Sequence, residues 1–383
     1  MARLGDVGKI ITGNTPNTSD EKNYESNDIC FIKPSDISDS EVTRLSSSEF
    51  HISEYARKKA RILPPRSVLV TCIGIIGKVA INAIECAFNQ QINAIIPDES
   101  KCTSEYLAYE ILYKQDELRA IANAPVVPII NKTQFSDIEV RLPLISEQRR
   151  VTNKLKKVDM LLSLRKQQLA KLDELVKARF VEMFGVYPDN PMKWETGTIR
   201  DIVKDVRYGS SRPAVEGGQY PYLRMNNITY GGELDLTDTK RIDVPENELP
   251  KCTVRRGDVL FNRTNSKELV GKTCVYNRDE MMVLAGFVIR VRVTERVLPE
   301  FLSAFLNTDF SKQMLLNMCK TAIGQANINA QEMQNIGLYL PPIELQQQFV
   351  QFKGQTDKSK FAVQQSIEKL ETLKKSLMQQ YFG

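Results

Sequence analysis

The stretch Ile130–Gly185, INKTQFSDIEVRLPLISEQRRVTNKLKKVDMLLSLRKQQLAKLDELVKARFVEMFG, returns 198 residues later as Ile328–Gly383, INAQEMQNIGLYLPPIELQQQFVQFKGQTDKSKFAVQQSIEKLETLKKSLMQQYFG, with no gap. Ile130-Asn131 falls on Ile328-Asn329, Leu142-Pro143 on Leu340-Pro341, Gln148 on Gln346, Asp159 on Asp357, and Phe184-Gly185 on Phe382-Gly383. Fifteen of the 56 positions are identical, against roughly one in sixteen for unrelated sequences of ordinary composition. A tandem unit of this length makes each copy a structural module and the pair a pseudo-twofold object.

Within the first copy, residues 147–184 contain no Gly or Pro and place Leu155, Val158, Leu162, Arg165, Leu169, Leu172 and Val176 at alternating spacings of three and four. That spacing predicts a long helix with one heptad seam, interrupted once by Arg165 and stopped by Gly185. The second copy repeats the rhythm through Phe349, Phe352, Thr356, Ser359, Val363, Ser366, Leu370, Leu373 and Leu377, with Gly354 weakening its first turns. Two seams of matched length in one chain most simply pack on each other, and only an antiparallel pair lets duplicated halves share a twofold axis. A homodimeric coiled coil or a structural rod would show the same seam. Arg149, Arg150, Lys154, Lys156 and Lys157, with Gln148, could serve a partner or a DNA backbone.

Ahead of each helix lies a segment of mixed signals. In the first, 68–71, 78–84 and 91–96 read as strands and 104–121 as a helix; in the second, 258–261, 273–276 and 282–293 read as strands and 299–319 as a helix. The order agrees between halves while the residues mostly differ, which suggests two copies selected for different targets. Leu142-Pro143 and Leu340-Pro341-Pro342 set the bend before each helix, and 187–191 reads as the linker into the second half.

The bulk numbers suit soluble domains: 383 residues, 42% hydrophobic and 26% charged, with Val68–Ile76 as the longest apolar run. Met1–Lys9 lacks the pattern of a signal peptide, so a cytoplasmic protein without membrane association is expected. Seven cysteines without a Cys-x-x-Cys pair and a single histidine, His51, argue against a zinc site and for reduced thiols. The net charge of +5 is uneven: 16 − 19 = −3 over 1–145, 10 − 5 = +5 over 146–185, 20 − 19 = +1 over 186–341 and 6 − 4 = +2 over 342–383. Charge alone permits DNA binding without demonstrating it.

No catalytic or metal-ligating set is evident. Gly271-Lys272-Thr273 ends like a phosphate-binding loop, but the glycine required five positions earlier is Ser266. Neither an Asn-Pro-Pro-Tyr type motif nor a glycine-rich dinucleotide or S-adenosylmethionine loop occurs, and Asp20-Glu21-Lys22 reads as an exposed charge run.

Several short motifs recur in order. The first half carries Leu4-Gly5-Asp6 before Thr12-Gly13-Asn14-Thr15-Pro16, then Phe31-Ile32-Lys33-Pro34-Ser35-Asp36-Ile37, Gly77-Lys78-Val79-Ala80-Ile81 and Asn89-Gln90-Gln91-Ile92-Asn93-Ala94. The second carries Tyr208-Gly209-Ser210-Ser211, Tyr222-Leu223-Arg224-Met225-Asn226-Asn227-Ile228 and Gly257-Asp258 through Arg263-Thr264-Asn265-Ser266. With the helical repeat, over essentially the whole chain, this resembles the specificity subunit of Type I restriction-modification enzymes. The resemblance implies an α+β fold: two pseudo-twofold-related α/β target recognition domains, 1–145 and 186–341, and two long spacer helices, 146–185 and 342–383, forming an antiparallel coiled coil.

The same resemblance implies a non-catalytic subunit that reads a bipartite, asymmetric site on double-stranded DNA, one half per module. The helices set the spacer and dock two methyltransferase subunits, and two restriction/translocase subunits complete the complex. Cofactors are then expected on the partners, S-adenosylmethionine, ATP and Mg, and none on this chain. A self-sufficient nuclease or ATPase and a coiled-coil adaptor without DNA binding are the rival readings.

The candidate DNA-contacting residues follow from the turns. Arg and Asn discriminate guanine and adenine in the major groove, while Gly-Ser and Thr-Gly turns offer amides and hydroxyls to phosphates. In the first module they are Thr15, Lys33, Ser35, Lys78, Asn89, Gln90 and Gln91. In the second they are Arg207, Tyr208, Ser210, Arg224, Asn226, Asn227, Arg263, Asn265, Ser266, Lys272 and Gln325.

Overall fold

A computed structural model of the chain describes residues 1–122, 127–322 and 325–383, the side chains of 320–322 excepted. Ile145–Phe184 and Ile343–Phe382 are the two long helices, 40 residues each, so both repeats fold into the same element. The helix ends follow from the repeat itself. Gly185 leaves the first helix at φ +82°, a backbone region that glycine enters without strain.

The chain divides into two compact units, 1–165 with 366–383, and 166–365. Each contains the start of one long helix packed against the end of the other, so the pairing is antiparallel in both. In the first unit Lys374 pairs with Asp159 at 2.8 Å. In the second, Lys360 pairs with Asp173 and, at 3.3 Å, with Glu233. The buried seam of the second helix runs through Phe349, Thr356, Val363, Ile367, Met378 and Phe382. This corrects the heptad assignment: Ser359 and Leu373 face outward, and Ile367 and Lys374 take the inner positions. A nearly straight helix repeats every 3.6 residues and drifts off a strict 3.5 pattern.

The first unit builds a five-stranded sheet in the order Gly8–Thr12, Ile92–Pro97, Val68–Thr71, Val79–Asn82, Thr43–Leu45. Beside it lies a four-stranded sheet ordered Phe50–Ile52, Ile29–Ile32, Cys86–Phe88, Ile62–Leu63. The second unit repeats the plan with Val203–Tyr208, Val288–Val293, Val259–Asn262, Thr273–Val275, and with Lys240–Ile242, Tyr220–Leu223, Met282–Leu284, Thr253–Val254. A three-stranded sheet ordered Thr264–Asn265, Gln325–Asn327, Lys320–Ala322 is added there. The expected strand 282–293 is therefore two strands in two sheets, parted at Ala285-Gly286-Phe287. The expected helices are each two as well, Ser104–Tyr113 with Gln115–Ile121, and Pro299–Leu306 with Asp309–Met318. Thr308 starts the last of these by accepting a hydrogen bond from the Ser311 amide, a side-chain cap inside a continuous apolar pattern.

Repeat-encoded residues join the long helices to the modules. Gln148 and Gln346 are fully buried. Gln148 Oε1 accepts from the Thr103 amide at 2.9 Å, and its Nε2 donates to the carbonyls of Lys101 and Pro143. Gln346 makes the same three bonds with the Leu298 amide and the carbonyls of Arg296 and Pro341. Gln148 thus belongs to the frame and not to a binding face. Asn131 and Asn329 cap equivalent short helices, each answered by the side chain three residues on, Gln134 or Glu332. All seven cysteines are buried or half-buried thiols, with burial raising Cys72, Cys86 and Cys274 to about 12. Among the described residues no helix is long and apolar enough to cross a membrane.

Glu110 places an ionisable carboxyl in the first core. It is fully buried, Oε1 accepts from the Arg141 amide, and Oε2 has no partner among the described residues. Burial pushes its carboxyl up to about 7, opposed by the Arg141 hydrogen bond. The folded state therefore holds a proton that the unfolded chain, at its ordinary value of 4.5, has released. The contribution is fully present below pH 4.5 and is lost as pH rises through 7. Wild-type protein is expected to lose ~3 kcal/mol at this residue over that window, and Glu110→Gln to flatten the slope. Denaturant melts of both proteins at pH 5 and pH 8 measure it; identical slopes would refute the assignment.

Candidate nucleic-acid interface

In the first unit, turns far apart in sequence meet around one groove of about 340 Å³ lined by Thr15, Lys33, Phe50, His51, Asn89 and Gln91, with Tyr24 at its side. Lys33 follows the strand Ile29–Ile32, Thr15 follows Gly8–Thr12, and Asn89 to Gln91 form the turn between Cys86–Phe88 and Ile92–Pro97. Thr15 Oγ1 donates to Gln90 Oε1 at 2.6 Å, and Lys33 Nζ lies 3.1 Å from the centre of the Phe50 ring. An ammonium, amides, a hydroxyl and an aromatic face converge there, the donor and stacking set that nucleic acid requires.

The turn that carries Lys33 and Ser35 is a short 3-10 helix, Pro34–Asp36, closed by the Lys33 amide donating to Asp36 Oδ2. Lys78 Nζ reaches under it to the Pro34 carbonyl. In the second unit Met225–Asn227 is the same turn, closed by the Arg224 amide donating to Asn227 Oδ1, and Lys272 Nζ donates to the Met225 carbonyl.

The equivalence extends through the backbone. Gly13 and Gly209 donate to Ile92 and Val288, and the next amides, Asn14 and Ser210, donate to Phe88 and Leu284. Asn89 and Ala285 donate to Ile32 and Leu223; Cys72 and Arg263 donate to Gln91 and Phe287. Ile130 and Ile328 donate to Cys72 and Arg263 in turn. Both Gly13 and Gly209 sit where a Cβ would lie within 2.3 Å of a backbone oxygen, so only glycine allows the turn to close on the sheet. One hydrogen-bonded frame is built twice, and the side chains standing on it differ.

The expected contact residues divide accordingly. Thr15, Ser35, Gln90, Arg207, Tyr208, Asn226, Ser266 and Gln325 are exposed, and Lys33, Lys78, Gln91, Arg224, Arg263 and Asn265 half-exposed. Asn89, Ser210, Asn227 and Lys272 are buried, which corrects the expectation of free donors there. Asn227 Nδ2 donates to the carbonyls of Asp235 and Asp238, and the Lys272 ammonium, its pKa lowered by burial, donates a hydrogen bond to the Met225 carbonyl. These side chains hold turns in shape. The turn amides of Gly13, Asn14, Gly209 and Ser210 are also consumed inside the sheets and are not offered to phosphate.

Tyr208, Arg263, Asn265 and Gln325 come to one edge of the second unit. The Arg263 guanidinium lies 4.8 Å from the Tyr208 ring centre and donates to Asn327 Oδ1, and Tyr208 Oη accepts from the Ala330 amide. Thr264–Asn265 pairs with Gln325–Asn327. Arg224 donates to Asp238 and holds that carboxyl below its usual range. Arg207 is paired with Asp205, whose carboxyl is lowered by Arg290 and Arg207 against an opposing effect of burial. Sequence reasoning missed Phe50, His51, Lys240 and Phe287. Strand pairing brings Phe50, His51 and Lys240 to these edges, and the Arg263 amide donating to its carbonyl fixes Phe287; the lone histidine was the one signal in the sequence. Among the described residues no group of three or more His, Cys, Asp and Glu side chains is placed to hold a metal ion.

Known proteins match this architecture along its length. The chain is 24% identical to the EcoKI specificity subunit of a Type I restriction enzyme from Escherichia coli (strain K12), over 96% of this chain and 83% of the relative. It is 29% identical to the MjaIX specificity subunit from Methanocaldococcus jannaschii, over 62% of this chain and 60% of the relative. Among solved structures, a chain from work on complex assembly and conformational transition of the type I R-M system superposes with a TM-score of 0.61 at 18% identity, covering 100% of this chain and 96% of the other. The S subunit of a Type I restriction-modification system from M. genitalium superposes at 0.56 and 12% identity, covering 98% and 94%. The Type I restriction modification DNA specificity domain model matches twice, over residues 1–174 and 191–374, once for each copy of the frame, and the chain belongs to that family.

Proposed function

We propose that this chain is the sequence-reading subunit of a Type I restriction-modification complex, with residues 1–145 and 186–341 as its two target recognition domains, each reading one half of a bipartite site on double-stranded DNA. Residues 146–185 and 342–383 set the unread spacer and dock two methyltransferase subunits, and two restriction/translocase subunits complete the assembly. The chemistry, adenine methylation and DNA cleavage, belongs to those partners, with S-adenosylmethionine on the first and ATP and Mg on the second. The complex works in the cytoplasm. One observation carries this reading: a single backbone frame appears twice with different side chains on its turns, which is what an asymmetric two-part target asks of a duplicated protein.

The deciding experiment maps adenine methylation at base resolution in cells expressing the chain with its methyltransferase partner, against cells lacking only this chain. A split, asymmetric motif that disappears with the chain is expected. Unchanged methylation with an active partner would sink the proposal.

Modularity gives a second test. Arg263→Ala with Asn265→Ala should weaken discrimination in one half-site by roughly tenfold or more and leave the other half intact. Competition between duplexes mutated in either half reads this directly, and equal losses in both halves would count against independent modules.

A further inference from the structure

The twofold frame identifies which positions set specificity. Building on the DNA-reading function proposed above, we infer that three pairs of frame-equivalent positions, Lys33 with Arg224, Phe50 with Lys240, and Gln91 with Phe287, determine the bases read by the two modules.

The equivalences rest on backbone bonds and strand register. Asn89 donates to Ile32 and Ala285 to Leu223, so the residues after those carbonyls, Lys33 and Arg224, occupy one position. Phe31 opposes Phe50, as Tyr222 opposes Lys240, on the neighbouring antiparallel strand. Cys72 donates to Gln91 and Arg263 to Phe287. Phe50 is 39% exposed and Phe287 51%, although both extend from well-packed sheets, so neither ring is placed there by burial.

The chemistry of each set differs. In the first module Lys33 lies over Phe50 and both line the groove with the Gln91 amide, whose Oε1 accepts from Asn89 Nδ2, giving a cation on an aromatic face beside a side-chain amide. In the second, Arg224 and Lys240 flank Asp238 at 2.8 and 3.5 Å, a cation, carboxylate and cation in place of the cation and ring. The aromatic has moved to Phe287, the position that holds the amide in the first module. A side-chain amide suits adenine, guanidinium suits guanine, and an exposed ring suits the thymine methyl. Two unlike half-sites follow from one frame by exchanging three side chains.

The test uses the full chain assembled with its methyltransferase partner and selects bound duplexes from a randomised library. Phe287→Gln and Phe50→Lys are made singly, since both residues are substantially exposed, and thermal melts confirm that each folds. Each variant is expected to shift base preference roughly tenfold at one or two positions of one half-site, Phe287→Gln in one half and Phe50→Lys in the other. Folded variants that select the wild-type motif unchanged would overturn the assignment and leave the DNA-reading function standing. Equal loss of affinity for every sequence would also overturn it, marking these residues as general contacts. A wild-type complex that selects no split motif would instead remove the function on which the assignment rests.

Discussion

Phe184→Ala is expected to cost the second unit about 3–5 kcal/mol, and Phe382→Ala the first unit a similar amount. The two phenylalanines occupy the same place in the repeat, and each ends a long helix inside a core. Phe184 is fully buried, with the rings of Phe180, Phe301 and Phe349 centred 4.9 to 5.7 Å away. Phe382 lies 5.3 Å from Tyr106 and 6.1 Å from Tyr113. Removing either ring leaves a cavity among aromatic neighbours that cannot collapse into it, and Phe184→Ala also forfeits the edge-to-face contacts with Phe301 and Phe349. Hydrogen exchange localises the damage. Phe184→Ala should speed exchange in Pro299–Leu306, and Phe382→Ala in Ser104–Tyr113. Uniform acceleration across the chain would contradict the assignment of each ring to its own core.

Much of this architecture was legible in the sequence because the repeat marks positions held by more than one constraint. Asn131 and Asn329 recur because an N-cap needs a short acceptor, and Gly185 because the chain leaves the helix through positive φ. The breaks within elements were not legible. Met282–Val293 reads as one strand, yet its two ends belong to different sheets, and the switch at Ala285-Gly286-Phe287 is a tertiary event with no local signature. Thr308 looks like one more helix residue until its hydroxyl is seen capping the next helix.

The candidate interface was half legible for a related reason. A polar side chain in a turn can face solvent or satisfy the turn's own backbone, and sequence does not separate Asn226, which is exposed, from Asn227, which is consumed inside. Lys272 and Lys78 illustrate the point further. Each reads as a basic contact, and each donates its ammonium to the carbonyl of the turn that presents the neighbouring side chains. Phe50 and Lys240 were invisible because they meet the reading turns only through strand pairing across some twenty residues.

Replacing the paired glutamines tests how the modules are fixed to their helices. Gln148→Leu should lower stability by about 3 kcal/mol or more, because it strands the Thr103 amide and the carbonyls of Lys101 and Pro143 in a dry environment. Gln346→Leu should do the same at Leu298, Arg296 and Pro341. The informative variant is glutamate. Gln148→Glu keeps the shape and the acceptor for Thr103, but replaces the one donor nitrogen with a carboxylate oxygen facing both carbonyl oxygens. If the clamp works through its amide protons, glutamate is as damaging as leucine at pH 8 and recovers in part at pH 5, where the carboxyl can be protonated and donate once. If only volume matters, both substitutions are mild and the glutamate variant shows no pH dependence. Urea titrations of both variants at the two pH values distinguish the cases. The first outcome would establish that one buried amide, written twice, holds each module to the start of its helix.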